Sequence, residues 1–237
     1  MDEIQRIENV AEVYNSEVGK LNRDLISHYT LEVIHPFIRP QSSVLLMGLG
    51  DGDIAESISQ LDVSLTVVEG SRKLIDTFPN LKAKATLVET LFEDFEPQNS
   101  FDVVIGTHVL EHVEDPVKIL KQTTRWLTSD GMALFTVPNR FSLHRKIGIE
   151  MGILPNEASL SEQDILLGHR RVYDVSDLER DLRDAGYNQI EISGYLLKIV
   201  PNRMMKDWSR ELLDATFRVS QSLPRDICAD LIAKCRL

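Results

Sequence analysis

The spacing of apolar residues in the first forty positions is typical of amphipathic helices. Apolar side chains recur there at steps of three and four residues, at Ile7, Val10, Val13, Tyr14, Val18, Leu21, Leu25 and Tyr29. Pro36 and Pro40 then interrupt the pattern. The region 1–40 is therefore predicted to form one or two helices that precede the main domain.

Between Pro40 and Asn139, short apolar runs rich in β-branched residues alternate with helical stretches. The predicted strands are Val44–Met47, Leu65–Val68, Thr86–Val88, Val103–Ile105 and Ala133–Val137. The predicted helices are Asp53–Gln60, Ser71–Phe78 and Pro116–Leu127, with caps at Ser71 and Asp115. Strands that are apolar on both faces and separated by helices predict a doubly wound α/β fold with a mostly parallel sheet.

The last third of the chain is predicted to add an edge to this sheet and then to form helices outside it. A helix with capping-box spacing from Ser176 to Glu179 ends at Gly186. Gln189–Ser193 and Leu196–Val200 predict an antiparallel edge hairpin that turns near Gly194 and Tyr195. We expect one compact unit with an N-terminal helical region 1–40, a main domain 41–200 with an insert at about 140–173, and a C-terminal helical extension 201–237.

Composition and charge argue against several classes of binding partner for this domain. The 237 residues are 43% hydrophobic and 27% charged, an ordinary globular balance. A net charge of −11 disfavours binding to extended nucleic acid. Cys228 and Cys235 are interpreted as reduced thiols on one face of a helix, and no metal-binding residues are predicted. The start Met1-Asp2-Glu3 has no basic, apolar leader and no apolar run is long enough to span a bilayer, so a cytoplasmic location is expected.

A glycine-rich loop follows the first predicted strand and indicates a ligand site. Gly48, Gly50 and Gly52 alternate with Leu49 and Asp51 immediately after the strand, so the backbone can turn tightly and approach a ligand closely. Taken alone, such a loop is as often an ordinary turn.

Glu69 ends the next predicted strand, 21 residues after Gly48, near the offset at which an acidic side chain binds a ribose diol. A dinucleotide site is disfavoured, since the third glycine of its usual motif is absent and Asp51 and Asp53 would repel a pyrophosphate.

The motifs around the fourth predicted strand resemble those of class I S-adenosylmethionine-dependent methyltransferases. The stretch Phe101-Asp102-Val103-Val104-Ile105 is followed by Val109-Leu110-Glu111-His112-Val113 and Asp115-Pro116, and the resemblance runs from about Val44 to Asn139, more weakly to about Gly194. It implies S-adenosylmethionine as cofactor, a methyl transfer reaction, and nine cofactor-binding positions. These are Gly48, Gly50 and Gly52 at the methionine and ribose, Glu69 at the ribose hydroxyls, Thr90, Leu91 and Phe92 at the adenine, and Thr107 and His108 at the methionine end.

The sequence departs from that family in one position. Many relatives carry an acidic residue two places before the first glycine, where this chain has Leu46. Another group must therefore orient the glycine loop or the methionine ammonium. Glu111 and His112 are interpreted as residues that shape the cofactor loop, rather than as an acid and base pair.

The acceptor side is expected in the insert after the fifth strand, because ligands lie outside the carboxyl ends of such sheets. His144 and His169 are the candidate catalytic bases, and Tyr14, Arg170 and Tyr173 are the candidate substrate-binding residues, with the N-terminal helices as a lid, a packing element or a dimer contact. Basic residues in the insert would suit a carboxylate, phosphate or sugar-nucleotide acceptor.

The predicted function is methylation of a small molecule, such as a sugar, nucleotide-linked or secondary-metabolite intermediate, by a monomer or homodimer. A non-catalytic S-adenosylmethionine-binding partner or sensor is the alternative, and a nicotinamide oxidoreductase is disfavoured.

Overall fold

The computed structural model describes residues 3–14, 17–201 and 204–237, and its described strands form one seven-stranded sheet. The strands are β1 Ser43–Met47, β2 Ser64–Glu69, β3 Thr86–Glu89, β4 Phe101–Thr107, β5 Leu127–Pro138, β6 Gln189–Tyr195 and β7 Asp230–Arg236. Their spatial order is β3-β2-β1-β4-β5-β7-β6. Strands β1 to β5 pair in parallel, as their uniformly apolar sequences predict. Their order reverses between β1 and β4, which is where such folds open a ligand crevice.

The antiparallel part of the sheet is at one edge, as predicted, but its strands are not the predicted ones. β7 runs antiparallel to both β5 and β6 and lies between them. The hairpin of Gln189–Ser193 with Leu196–Val200 is therefore wrong, since β6 continues through Tyr195 and its partner comes from the end of the chain. The C-terminal region 201–237 is thus not only helical. Cys235 lies in β7 and Cys228 just before it, both as buried free thiols, so they do not share a helix face.

Helices connect the strands and cover both faces of the sheet. Those in the described ranges are α1 Glu3–Tyr14, α2 Glu17–Ile34, α3 Asp53–Ile58, α4 Arg72–Thr77, α5 Pro116–Trp126, α6 Leu143–Glu150, α7 Glu162–Leu166, α8 Val175–Ala185 and α9 Arg210–Ser220. Ser71 and Asp115 cap α4 and α5 as predicted. α8 begins two residues earlier than predicted: Asp174, not Ser176, accepts the capping hydrogen bond, from the Asp177 backbone N–H at 2.8 Å.

The side chains of β1 alternate between two buried clusters, one on each face of the sheet. Leu45 and Met47 pack with the cluster that includes α5 and α8, whereas Val44 and Leu46 pack with the cluster that includes α2, α3 and a face of α9. This period of two follows from the pleat of the strand. Burial on both sides makes the central strands a rigid support for the loops at their carboxyl ends.

Helix α1 is attached to the loops above the sheet by polar contacts at its first turn. The Arg6 guanidinium donates to the backbone oxygens of Gly168 and His112, both at 2.9 Å. Glu3 pairs with Arg170 at 2.8 Å. These contacts hold the first turn of α1 beside the insert, where the sequence suggested a lid.

Candidate active site

A cavity of about 720 Å³ opens at the carboxyl ends of the parallel strands. It is lined by the loops after β1, β2, β3 and β4, by α1, and by the insert that contains α6 and α7. Eight of the nine predicted cofactor residues line it, together with Tyr14, His144 and His169. The remaining cofactor residue, Gly52, does not.

The glycine loop adopts the left-handed backbone conformation that glycine tolerates best. Gly48, Gly50 and Gly52 have φ values of 81°, 55° and 83°. Gly48 and Gly50 face the cavity, whereas Gly52 begins α3 next to the Phe78 ring. A Cβ atom on Gly52 would stand only 2.2 Å from that ring. Gly52 therefore permits close packing behind the loop and has no position against a ligand.

Glu69 connects the glycine loop to the end of β2. Its side chain is 6% exposed, and its two carboxylate oxygens accept hydrogen bonds from the backbone N–H groups of Leu49 at 2.8 Å and Ser71 at 2.7 Å. Burial raises the pKa of Glu69 by more than these backbone donors lower it. Glu69 thus orients the loop, the task left open by Leu46, which is itself buried in the core. Each oxygen keeps a lone pair for a further donor.

His108 follows β4, and its ring lies between two carboxylates. Its Nδ1 lies 3.0 Å from Glu111 Oε1 and its Nε2 lies 4.0 Å from Asp230 Oδ1. Burial lowers the pKa of His108, but the hydrogen bond and charge of Glu111 and the charge of Asp230 outweigh it, so the net shift is upward. The backbone of His108 has φ 53°, a left-handed conformation that is uncommon outside glycine. Glu111 therefore shapes the loop, in accord with its predicted role.

Glu111, His112 and His169 form a cluster that was not predicted. One ligand-type atom from each lies within 4.8 Å of the others, an arrangement able to hold a divalent cation. The His112 and His169 rings meet edge to face at 4.6 Å, and burial lowers the pKa of His112 to about 3 despite the charge of Glu111. Glu111 and His112 are adjacent, but His169 follows 57 residues later, so the sequence shows no spacing typical of metal ligands. The expectation that no residue binds metal stays a prediction.

The two predicted catalytic histidines both reach the cavity from the insert. His169 Nδ1 lies 3.4 Å from Asp164 Oδ1, and burial of Asp164 is outweighed by this contact and by Ser161, so the pKa of Asp164 is lowered. His144, on α6, has a buried Nδ1 without a hydrogen-bond partner in the described ranges. Burial, followed by the charges of Lys198 and Arg145, lowers the pKa of His144 to about 3. Both side chains thus contribute to the wall of the cavity.

Two of the predicted substrate-binding residues do not line the cavity. Tyr173 is 2% exposed, packs in the core, and donates its hydroxyl to Asp181 at 3.1 Å. Arg170 donates to the His112 backbone oxygen at 2.8 Å and pairs with Glu3. Their roles are structural, because the last residues of the insert fold back onto α8 and α1. The third, Tyr14, does line the cavity, and burial and nearby carboxylates raise its pKa.

Several polar residues that line the cavity were not predicted, and three of them lie at the ends of β5, β6 and β7. Asn139 follows β5, Asp230 begins β7, and Lys198 follows β6. The strand register brings these residues close together. Asp230 is paired with Pro138, which precedes Asn139, and with Tyr195, which lies three residues before Lys198. This part of the site was missed because the region 201–237, which contains β7, had been predicted to be helical.

A family model described as a methyltransferase domain matches residues 14–192. The chain belongs to this methyltransferase family. Membership confirms the class I S-adenosylmethionine-dependent methyltransferase family that the motifs around β1 and β4 resemble, and with it the predicted cofactor and enzyme class. The seven-stranded sheet of this methyltransferase has the mostly parallel arrangement with an antiparallel edge that was predicted.

Curated relatives and solved structures are similar to this methyltransferase at low identity. A ubiquinone biosynthesis O-methyltransferase of Rickettsia typhi (strain ATCC VR-144 / Wilmington) is 25% identical over 151 residues, 58% of this chain and 61% of the relative. The chain spans between 33% and 66% of the length of the curated relatives that it matches first.

Among solved structures, a Thermotoga maritima S-adenosylmethionine-dependent methyltransferase, described as a possible histamine N-methyltransferase, superposes with a TM-score of 0.65 at 15% identity, over 96% of this chain and 99% of the other. The plantazolicin methyltransferase BamL, crystallised with S-adenosylhomocysteine, gives 0.61 at 15% identity, over 98% and 96%. These likenesses show a shared fold. None of the helices in the described ranges has the length and apolar character needed to cross a membrane.

Proposed function

We propose that this chain transfers the methyl group of S-adenosylmethionine to a hydroxyl oxygen of a small molecule. One observation carries the proposal: a single cavity contains both the glycine loop with Glu69 and the two histidines of the insert. Its volume lies within the range of about 300–1,000 Å³ that is usual for small-molecule sites. The name of the relative from Rickettsia typhi favours oxygen as the methylated atom.

The cofactor half of the cavity suits an adenosyl ligand. S-adenosylmethionine, when bound, supplies an electrophilic methyl group on a sulfonium. Glu69 can accept hydrogen bonds from the ribose hydroxyls while it keeps those from Leu49 and Ser71. Leu91 and Phe92 supply apolar cover for the adenine, and the backbone of Gly48 and Gly50 permits close approach.

The protein's main contribution to methyl transfer is to align the acceptor oxygen and to exclude water. Helix α1 contributes Ile7, Val10 and Tyr14 to the cavity wall, and its contacts with the insert close one side of the cavity. A hydroxyl acceptor must also lose its proton. We assign proton acceptance to His169, because the Asp164 carboxylate stands beside it and can stabilise an imidazolium.

His144 is the weaker candidate for a base. Its depressed pKa of about 3 keeps the imidazole neutral, so His144 is better suited to hold the acceptor by a neutral contact than to remove its proton. A divalent cation on Glu111, His112 and His169 would be a different way to position the same oxygen. Turnover measured after EDTA treatment, with and without added Mg²⁺ or Mn²⁺, separates the cation from the histidine base.

Two measurements test the proposed function. Isothermal titration with S-adenosylhomocysteine is expected to show binding, and NAD⁺ is expected to show none. Incubation with S-adenosylmethionine and a panel of phenols, hydroxy acids and sugars, followed by mass spectrometry, is expected to show a methylated product together with S-adenosylhomocysteine. A chain that binds S-adenosylhomocysteine but methylates no member of the panel would favour the non-catalytic sensor. Failure to bind S-adenosylhomocysteine would reject both.

A further inference from the structure

We infer that Lys198 binds an anionic oxygen group of the acceptor, a carboxylate or a phenolate attached to an apolar body. This inference rests on the proposed function and specifies its substrate class. The cavity thereby has a recognition point for the acceptor that is separate from the glycine loop and Glu69.

Lys198 is placed by the sheet edge that the sequence misassigned. It lies three residues beyond the end of β6, and the intervening Leu196 has a left-handed backbone with φ 61°. This turn directs the chain back across the carboxyl ends of the strands, where Lys198 lines the cavity while being only 5% exposed. Strands β1, β2 and β3, which carry the glycine loop, Glu69 and the predicted adenine segment, lie on the other side of β4 and β5, in the order β3-β2-β1 from the opposite edge.

The Lys198 ammonium has no ion pair or hydrogen bond with any residue in the described ranges. The nearest charges act at longer range: Asp230 and Asp164 raise the pKa of Lys198, but burial lowers it by more. Its own charge lowers the pKa of both His108 and His144, which line the same cavity. A buried ammonium without a counter-ion is unfavourable, and an anionic ligand would relieve that cost.

The walls near the insert indicate what is attached to the anion. Ile153, Leu154, Pro155, Leu160 and Leu167 contribute apolar surface to the same cavity. A lysine ammonium is a compact point charge without the fork of an arginine, so it suits one anionic oxygen better than a bidentate phosphate. An aromatic or aliphatic acid, or a phenolate, meets both requirements.

A binding experiment with matched probes tests this assignment. Isothermal titration in saturating S-adenosylhomocysteine would compare 4-hydroxybenzoate with the neutral 4-hydroxybenzamide, and 4-nitrophenolate with 4-nitroanisole. The wild type is expected to bind at least one anion roughly tenfold or more tightly than its neutral counterpart. Lys198→Met is expected to remove that preference and leave the affinity for S-adenosylhomocysteine unchanged. A preference within the first pair would identify a carboxylate as the group that Lys198 binds, and a preference within the second pair would identify a phenolate.

Two control variants keep the test interpretable. Lys198→Arg retains the charge and is expected to keep most of the preference, and Lys146→Met removes an exposed lysine of α6 and is expected to change nothing. If Lys198 only balanced Asp230 and Asp164, Lys198→Met would alter charged and neutral probes equally. That result, or a wild type that fails to favour either anion, would overturn the inference. The wild-type comparison needs no variant, so a misfolded Lys198→Met cannot obscure it. Loss of S-adenosylhomocysteine binding by the wild type would instead reject the proposed function.

Discussion

The two halves of the cavity are built in different ways. The cofactor half consists of short loops that follow β1, β2 and β3 directly, and its key contact joins Glu69 to Leu49 across adjacent strands. The acceptor half gathers His144 and His169 from the insert, Lys198 from beyond β6, and Asp230 from the start of β7. The first half depends on backbone geometry next to each strand, whereas the second depends on distant segments meeting.

This difference predicts how each half responds to substitution. Changes in the cofactor half should alter affinity for S-adenosylhomocysteine, because the loop and its carboxylate form one rigid unit. Changes in the acceptor half should alter turnover or acceptor affinity and leave cofactor affinity intact. The following predictions test this separation, from the largest effect to the smallest.

Glu69→Gln is expected to weaken binding of S-adenosylhomocysteine by roughly 10³-fold, because each hydrogen bond lost to a buried charged group is worth about 1.5–3 kcal/mol. Isothermal titration measures the effect. Glu89→Gln is the matched control, since Glu89 also ends a strand but pairs with Arg72 at the exposed surface. Near-normal affinity in Glu69→Gln would remove the carboxylate from the cofactor site.

His169→Asn is expected to lower kcat by roughly 10²-fold through loss of a general base, with an unchanged dissociation constant for S-adenosylhomocysteine. Steady-state kinetics with an acceptor identified by the panel provides the measurement. His35→Asn, at an exposed position outside the cavity, is the control. A kcat close to that of the wild type would leave His169 without a part in the reaction.

Gly52→Ala is expected to weaken binding of S-adenosylhomocysteine about tenfold and to lower the melting temperature, since a Cβ in a left-handed conformation and overpacking each cost about 1–2 kcal/mol. Gly186→Ala shares the positive φ, 107°, but has open space for the added Cβ. If steric contact with Phe78 is the cause, Gly52→Ala combined with Phe78→Ala should regain affinity. If Gly52→Ala and Gly186→Ala lowered the melting temperature equally, backbone strain alone would explain the effect.

His144 should make the protein less stable in mild acid. Its folded pKa of about 3 lies below the ordinary 6.5, so the unfolded chain binds the proton first, and stability falls as pH drops below 6.5. The wild type is expected to lose about 2 kcal/mol more than His144→Asn between pH 7 and pH 5. Urea unfolding at the two pH values measures the difference, and parallel losses would contradict the burial of a neutral imidazole.

Arg170→Ala is expected to change the acceptor KM by less than about twofold, because its ion pair with Glu3 is a partly exposed one of the kind worth about 0.5 kcal/mol. Kinetics with saturating S-adenosylmethionine measures it. A tenfold rise in KM would return Arg170 to the acceptor site, where the sequence had suggested it.

The sequence alone was sufficient to predict most of the sheet and the cofactor loops. Uniformly apolar runs marked β1 to β5, and the position next to a strand end singled out Gly48, Gly50 and Glu69, which line the cavity, together with Gly52, which does not. It misled in the last third of the chain, where Leu196–Val200 has a strand-like composition but turns away at Leu196, and Asp230–Arg236 pairs in its place. Strand propensity indicates that a segment can form a strand, but it does not indicate with which other strand that segment pairs.

What the sequence determined by itself is therefore local: which segments are strands, where the backbone must turn without a side chain, and which carboxylate stands beside that turn. Only the tertiary structure decided that Tyr173 belongs to the core, that His112 and His169 touch, and that Lys198 reaches the cavity. Pattern and propensity act over a few residues, whereas these contacts are set by the packing of segments separated by tens of residues in the chain.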